Sequence, residues 1–452
     1  MQTTKNHIRL TLSAALLAGV WAFWWQCHPE WMSYQEQNQL FLLTTDYLWQ
    51  RVSRAGGVAD WLGEFIVQFF YVEWLGALVL ALLYWLMHRL TWLCLRGVLR
   101  LNSYIAFALS LVPVGAFLYL SGDESMMVSL PVALTIVVGA IALMRHTRWP
   151  WWLIVVPAAA WAVAAPWTTY YRTPLGSLSL DGWERDKWEL LRQDYLIRHE
   201  RWDEVIVRAG KHVVPTAMWS NSVNLALAMR RELADRQFEF WQSGPDALIM
   251  PMVADNVSNL PTMEAFWRLG MVNSCLRYAS DLQESILSAR KSGRLERRIV
   301  ECLIVNGNYA IARKHLRLLR QSLFYSSWAR QAEACLGRDD LINAHPTWGR
   351  LRKLRFKDNF LYNYPELDKM LAILFQQNHQ NLMALDYFLA QLLLKGDAQT
   401  FLPALQWAQQ YGGYHAMPKA YQDAVACIRS RQLPNTPYGR YITRRMKEGG
   451  GR

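Results

Sequence analysis

The sequence predicts an all-α chain in two parts, a multi-span transmembrane helical domain followed by a soluble α-helical hairpin solenoid. Three observations carry that expectation. Long uncharged apolar runs crowd into residues 1–167, the basic surplus lies after them, and the later part repeats a helix, short turn, helix pattern. Residues 1–167 hold 9 Lys and Arg against 8 Asp and Glu, which leaves 39 against 28 for residues 168–452, so nearly all of the +12 formal charge sits in the second part. A basic domain tethered to a bilayer suits anionic headgroups or a polyanionic partner. With 452 residues, core burial is not limiting.

Five runs come near the ~20 residues needed to cross hydrocarbon: 8–25, 74–87, 104–120, 127–144 and 150–167. The first follows a basic leader with Lys5 and Arg9, and no small-x-small cleavage pattern comes after it, so it reads as an uncleaved anchor. Arg89, Arg96 and Arg100, then Arg145 and Arg148, fall on the same side as that leader, and the turn at 121–125 falls opposite. By the positive-inside rule the N-terminus is cytoplasmic and residues 168–448 form an extracytoplasmic, periplasmic domain. Trp24, Trp25, Trp31, Trp149, Trp151, Trp152 and Trp167 flank span ends, where an indole can sit at headgroup level.

The external loop 28–73 is the most informative stretch of the membrane part. Ser33 followed by Glu36 makes a capping box, which predicts an amphipathic helix over 34–49 lying at the interface. Gly56 and Gly57 break it before a second helix, capped by Asp60, on which Glu64, Gln68 and Tyr71 share one face. Carboxylates near a bilayer need an account, because charge at membrane depth is costly unless it faces protein or water. On one reading Glu36, Asp46 and Glu64, with Asp60 and Glu73, line an outward pocket and one of the first three is a catalytic base. On the other they are caps, headgroup-level side chains and partners for Arg51 and Arg54.

The runs E-Q-N-Q-L-F-L-L-T-T-D-Y at 36–47 and G-G-V-A-D-W-L-G-E-F-I-V-Q-F-F-Y at 56–71 resemble the signature of a family of uncharacterised multi-pass inner-membrane proteins from Gram-negative anaerobes. The family is a domain of unknown function with a helical C-terminal part. The resemblance spans most of the chain. It implies a bacterial inner-membrane location and this architecture, and it brings no activity, cofactor or catalytic residue with it.

In the second part, three stretches read as helix hairpins: 194–209, 303–316 and 392–402. Gly307-Asn308-Tyr309 followed by Ala312 resembles the inter-helix turn of a tetratricopeptide (TPR) repeat, where a small residue lets two helices approach closely. The spacing of the three is irregular, which predicts a degenerate TPR-like solenoid without a strict register. The stretch 382–394 is apolar on nearly every face and predicts a buried helix. Arg313, Arg317 and Arg320 repeat at four and three residues on another side from an apolar stripe of Ala312, Leu316 and Leu319. That row could grip carboxylates or phosphates on a partner, or simply face solvent. Two further basic clusters lie at 350–357 and 440–447, and the tail 449–452 reads as disordered.

The six cysteines show no C-x-x-C and no zinc spacing, and the histidines are scattered, so no metal or cofactor is expected. No G-x-S-x-G, H-E-x-x-H or phosphate loop is present. The expectation is therefore a non-enzymatic scaffold or docking component of a cell-envelope process. Its partners are membrane lipids and an envelope protein or anionic glycan, with nucleic acid set aside by the periplasmic placement. The alternatives are a transferase using a lipid-linked sugar donor, with the base in the first external loop, and a transporter subunit.

Overall fold

The computed structural model describes residues 2–97, 99–124, 126–146, 152–163, 182–286, 290–357, 363–411, 414, 416–430 and 432–449; among these every regular element is a helix. The chain divides into two compact units. The first comprises Met1–Trp188, Leu287–Arg294 and Arg317–Arg330; the second comprises Glu189–Ile286, Leu295–Leu316 and Gln331–Arg452. The 167/168 boundary expected from sequence lies outside the described residues, as do residues 450–452 of the tail.

The first unit opens with α1 (Gln2–Ala22), which widens into one π-turn over Phe23–Cys27. α2 (Pro29–Gln37) starts on a proline, whose missing N–H is no loss in a first turn. The Thr44 hydroxyl accepts from the Tyr47 N–H (3.2 Å) and so begins α3 (Thr45–Val52). α4 (Gly57–Val67) follows Gly56, whose φ of +83° is open to glycine without strain. Then come α5 (Glu73–Gly97), α6 (Ser103–Ser110), α7 (Val112–Leu120), α8 (Ser129–His146) and α9 (Trp152–Val163). α5 is central and packs against α1, α6 and α8. Gly63 lets α4 lie on the start of α8, since a Cβ there would come within 2.7 Å of the Ser129 nitrogen.

Among the described residues, three helices of this unit are long and apolar enough to cross a membrane: Arg9–Cys27, Glu73–Gly97 and Ser103–Leu120. The run expected at 127–144 contains a shorter apolar helix, Ser129–Met144. α9 falls within the fifth expected run, whose residues 150, 151 and 164–167 lie outside the described ones. α5 continues past Met87 because its charges are accommodated. The Arg89 and Arg96 guanidinium groups lie 4.5 and 5.2 Å from the Trp92 ring centroid, and the His88 Nδ1 sits 2.9 Å from the Ser110 hydroxyl.

Several local expectations change. The single helix expected over 34–49 is two, α2 and α3, because the chain turns out at Asn38 and spends the Leu43 N–H on the Gln321 carbonyl (2.7 Å). Asp60 is buried in the first turn of α4 and does not cap it. Trp24 and Trp31 are core residues and not headgroup anchors; their rings meet at 4.4 Å within a cluster that includes Met32, Phe70, Tyr84 and Met87.

The second unit, with the helix ends that cross into it, comprises α10 (Arg185–Arg198), α11 (Trp202–Ala209), α12 (Ala217–Met229), α13 (Leu233–Arg236), α14 (Leu260–Leu269), α15 (Val272–Glu284), α16 (Gly293–Asn306), α17 (Tyr309–Leu319), α18 (Ser326–Ala334), α19 (Asp339–Ala344), α20 (Pro346–Leu354), α21 (Leu367–Gln377), α22 (Leu382–Lys395), α23 (Ala398–Gln410), α24 (Lys419–Ser430) and α25 (Pro437–Gly449). The three expected hairpin stretches fall on α10–α11, α16–α17 and α22–α23, and their turns share one backbone cap. In each, an N–H reaches back five residues and its predecessor reaches back three: Arg201 to Leu196 (2.9 Å) and Glu200 to Ile197 (3.0 Å), Asn308 to Leu303 (2.8 Å) and Gly307 to Ile304 (3.1 Å), Asp397 to Leu392 (2.9 Å) and Gly396 to Leu393 (3.1 Å). This is the Schellman closure, which satisfies the last carbonyls of a helix and needs a left-handed residue. Glu200, Gly307 and Gly396 supply it, and Arg231 and Gly270 repeat the device at two turns not anticipated.

α22 is buried at every position from Ala384 to Leu394, as its all-round apolarity predicts. α12 is equally buried from Met218 to Ala228 although four of those residues are polar. Asn224 settles its amide on the Gln242 side chain (2.7 Å) and the Ala247 carbonyl (3.0 Å), so its burial is compensated.

Candidate functional site

The site that the sequence points to lies in the first unit, where α3, α4 and the segment around Arg290 converge. Tyr47 and Arg51 stand four residues apart on α3 and therefore share a face. Glu64 lies on α4, 3% exposed. Its Oε2 accepts from the Tyr47 hydroxyl (2.6 Å) and the Arg51 Nε (3.0 Å), and its Oε1 lies 3.2 Å from Nη2 of Arg290. The Glu64 carbonyl also accepts from the Gln39 amide (3.0 Å). A buried carboxylate is tolerated only when paired and hydrogen-bonded, and Glu64 is both.

The electrostatics fix the protonation states. Burial raises the Tyr47 phenol's pKa, the Glu64 carboxylate adds to the rise and Arg51 opposes it, so Tyr47 remains a neutral donor. Burial would lower the Arg51 guanidinium, but Glu64 and Tyr47 outweigh it and the net direction is upward, so Arg51 keeps its charge. The same guanidinium lies 4.8 Å from the Tyr47 ring centroid and donates to its hydroxyl (3.4 Å).

The other two candidate carboxylates go elsewhere. Glu36 is buried and its Oε1 accepts from the Tyr325 hydroxyl (2.7 Å), while its neighbour Gln37 accepts from Arg294 (2.6 Å). Asp46 is exposed in the first turn of α3, where the helix dipole favours an acid. Glu64, Gln68 and Tyr71 do not continue one row, because the helix tightens to 3₁₀ at Gln68 and Tyr71 turns to stack on Phe324 (5.4 Å). Sequence reasoning named Arg51 as a carboxylate partner but missed Arg290, Arg294 and Tyr325, whose positions carry no local signal.

Beside Glu64 lies a cavity of about 220 Å³, lined by Gln39, Tyr47, Gln50, Arg51, Arg54, Arg290 and Lys291 with Leu40, Leu42 and Leu318. Arg313, Arg317 and Arg320 are all exposed, while Ala312, Leu316 and Leu319 are fully buried. In the second basic cluster Arg352 is tied to Asp339 (2.9 Å) and the Tyr309 hydroxyl (2.5 Å); in the third, Arg444 and Arg445 donate to the Gln242 and Leu394 carbonyls. Both clusters are thus partly spent on the fold. Among the described residues no three His, Cys, Asp or Glu are placed to hold a metal, and the six cysteines form no disulfide.

No curated protein and no solved structure matches the chain. One family model does, over residues 5–171 and again over 162–448, which together take in both units almost completely. The chain therefore belongs to that family, the family of unknown function DUF6057.

Proposed function

We propose that this is a multi-span bacterial inner-membrane protein that displays a TPR-like solenoid in the periplasm and acts as a non-enzymatic docking component of a cell-envelope process. The observation that carries the reading is the recurring Schellman turn of the second unit, at Glu200, Arg231, Gly270, Gly307 and Gly396. Stacked helix hairpins of this kind bury their apolar faces on their neighbours and present an extended surface for binding. Three apolar helices in the first unit supply the anchor, and the exposed arginines of the Arg313, Arg317, Arg320 row supply cations for a carboxylate-bearing protein or glycan.

The pairing of Glu64 favours docking over a lipid-linked transferase. Each oxygen of Glu64 is already engaged by Tyr47, Arg51 or Arg290, which fits a residue that ties its own loop together. In-cell photocrosslinking from Ile311 is expected to capture one dominant envelope partner, and the combined R313E/R317E/R320E variant is expected to lose it at unchanged membrane abundance. An unaltered crosslinking pattern in that variant would sink the docking reading. A phosphatase reporter fused after Arg452 is expected to be active; activity confined to a cytosolic reporter would overturn the topology.

A further inference from the structure

Among the described residues, the lining of the 220 Å³ cavity carries four cations, Arg51, Arg54, Arg290 and Lys291, and no carboxylate. Glu64 holds Arg51 and Arg290 in place beside it. The same depression is also lined by Leu40, Leu42 and Leu318. Low-dielectric walls strengthen the field that cations project into a cleft. The volume is below the ~300–1,000 Å³ of pockets for drug-sized ligands, so the occupant is a small polar group.

From this arrangement we propose that the cavity is an anion-binding site for a phosphate group, either on a lipid headgroup or on a small soluble ligand. Phosphate fits the chemistry better than a simple halide. Guanidinium groups present planar pairs of N–H donors that match two phosphate oxygens at once, and Lys291 adds a mobile point charge at the rim, where it is exposed. Arg51 spends two of its donors on Glu64 and Tyr47 and still lines the cavity. Tyr47, held neutral, adds no negative charge, and the Gln39 and Gln50 amides add further polar groups. Glu64 is then a positioning residue that orients two arginines toward the cavity, much as a buried acid orients a metal's ligands. The assignment is independent of the docking surface on α17.

The test uses the full chain in nanodiscs of phosphatidylcholine, with inorganic phosphate as probe in calorimetric titration. Saturable binding is expected, and Lys291→Gln, at an exposed position, is expected to weaken it about tenfold with the ligand-free melting temperature unchanged. Arg54→Gln is expected to do the same; should it fail to fold, Lys291→Gln decides. Phosphate displaced by phosphatidylglycerol vesicles but not by phosphatidylcholine vesicles assigns the group to a lipid, and phosphate left in place by both assigns it to a soluble ligand. Either outcome supports the site. No saturable binding, or equal affinity in Lys291→Gln, overturns it. Arg313→Glu is expected to leave phosphate binding intact, which separates this test from the docking one.

Discussion

Two buried acids in this chain are held in opposite ways. Glu64 is paired with two arginines and a phenol. Glu64→Gln leaves Arg51 and Arg290 without their counter-charge, and breaking a buried pair from one side costs about 3 kcal/mol or more. Chemical unfolding followed by tryptophan fluorescence is expected to show that loss; a change under about 1 kcal/mol would mean the network is not stabilising. Asp386 on α22 has no such cation in contact. Burial raises its pKa to about 6, against smaller lowering contributions from the Tyr414 hydroxyl (2.7 Å) and Arg231. The folded state thus keeps a proton that the unfolded chain releases near 3.8, so the group's contribution to stability is full below that value and is lost as pH rises toward 6. The span corresponds to roughly 3 kcal/mol. Asp386→Asn is expected to flatten the melting temperature between pH 4 and 7, and an unaltered slope would show that Asp386 does not titrate there. At this scale the sequence exposed which acids needed explaining and named Arg51, but Tyr325 reaches Glu36 across 289 residues and Arg294 reaches Gln37 across 257, distances over which no spacing rule operates.

Among elements, the helices with strong local signals were legible. The Gly307 and Gly396 turns and the nearly all-round apolar stretch of α22 follow from backbone freedom and periodicity alone. Gly307 has φ +82° and nothing within 4 Å of where a Cβ would stand, so Gly307→Ala meets no clash but pays the left-handed penalty of about 1 kcal/mol. Gly210 has φ −70°, and a Cβ there meets nothing nearer than 3.6 Å, so Gly210→Ala is expected to stabilise by about 0.5 kcal/mol. Calorimetric melting of the two variants should move in opposite directions; a shared direction would remove backbone conformation as the cause. The elements that were not legible depend on partners outside themselves. The break between α2 and α3 exists because Leu43 bonds to Gln321, and the polar, buried α12 exists because Gln242 and Ala247 meet Asn224.

For the whole molecule, the all-α class and the concentration of apolar helices in the first part were readable from composition and run length, whereas the composition of the two units was not. Leu287–Arg294 and Arg317–Arg330 belong with the N-terminal unit although they lie in the basic, soluble-looking part of the sequence. Their residues complete Glu36, Gln37 and Glu64. Residues 1–188 expressed alone are therefore expected to be rapidly degraded, and a pulse-chase comparison with the full chain checks this; equal lifetimes would show that the later segments are dispensable. The same topology sets a timetable for biogenesis. Arg290 leaves the ribosome 226 residues after Glu64, about 10 to 45 s later at ~5–20 residues per second. For that interval the nascent chain carries an ion pair short of one partner, so the segment that holds Glu64 can lock only after residue 290 has emerged.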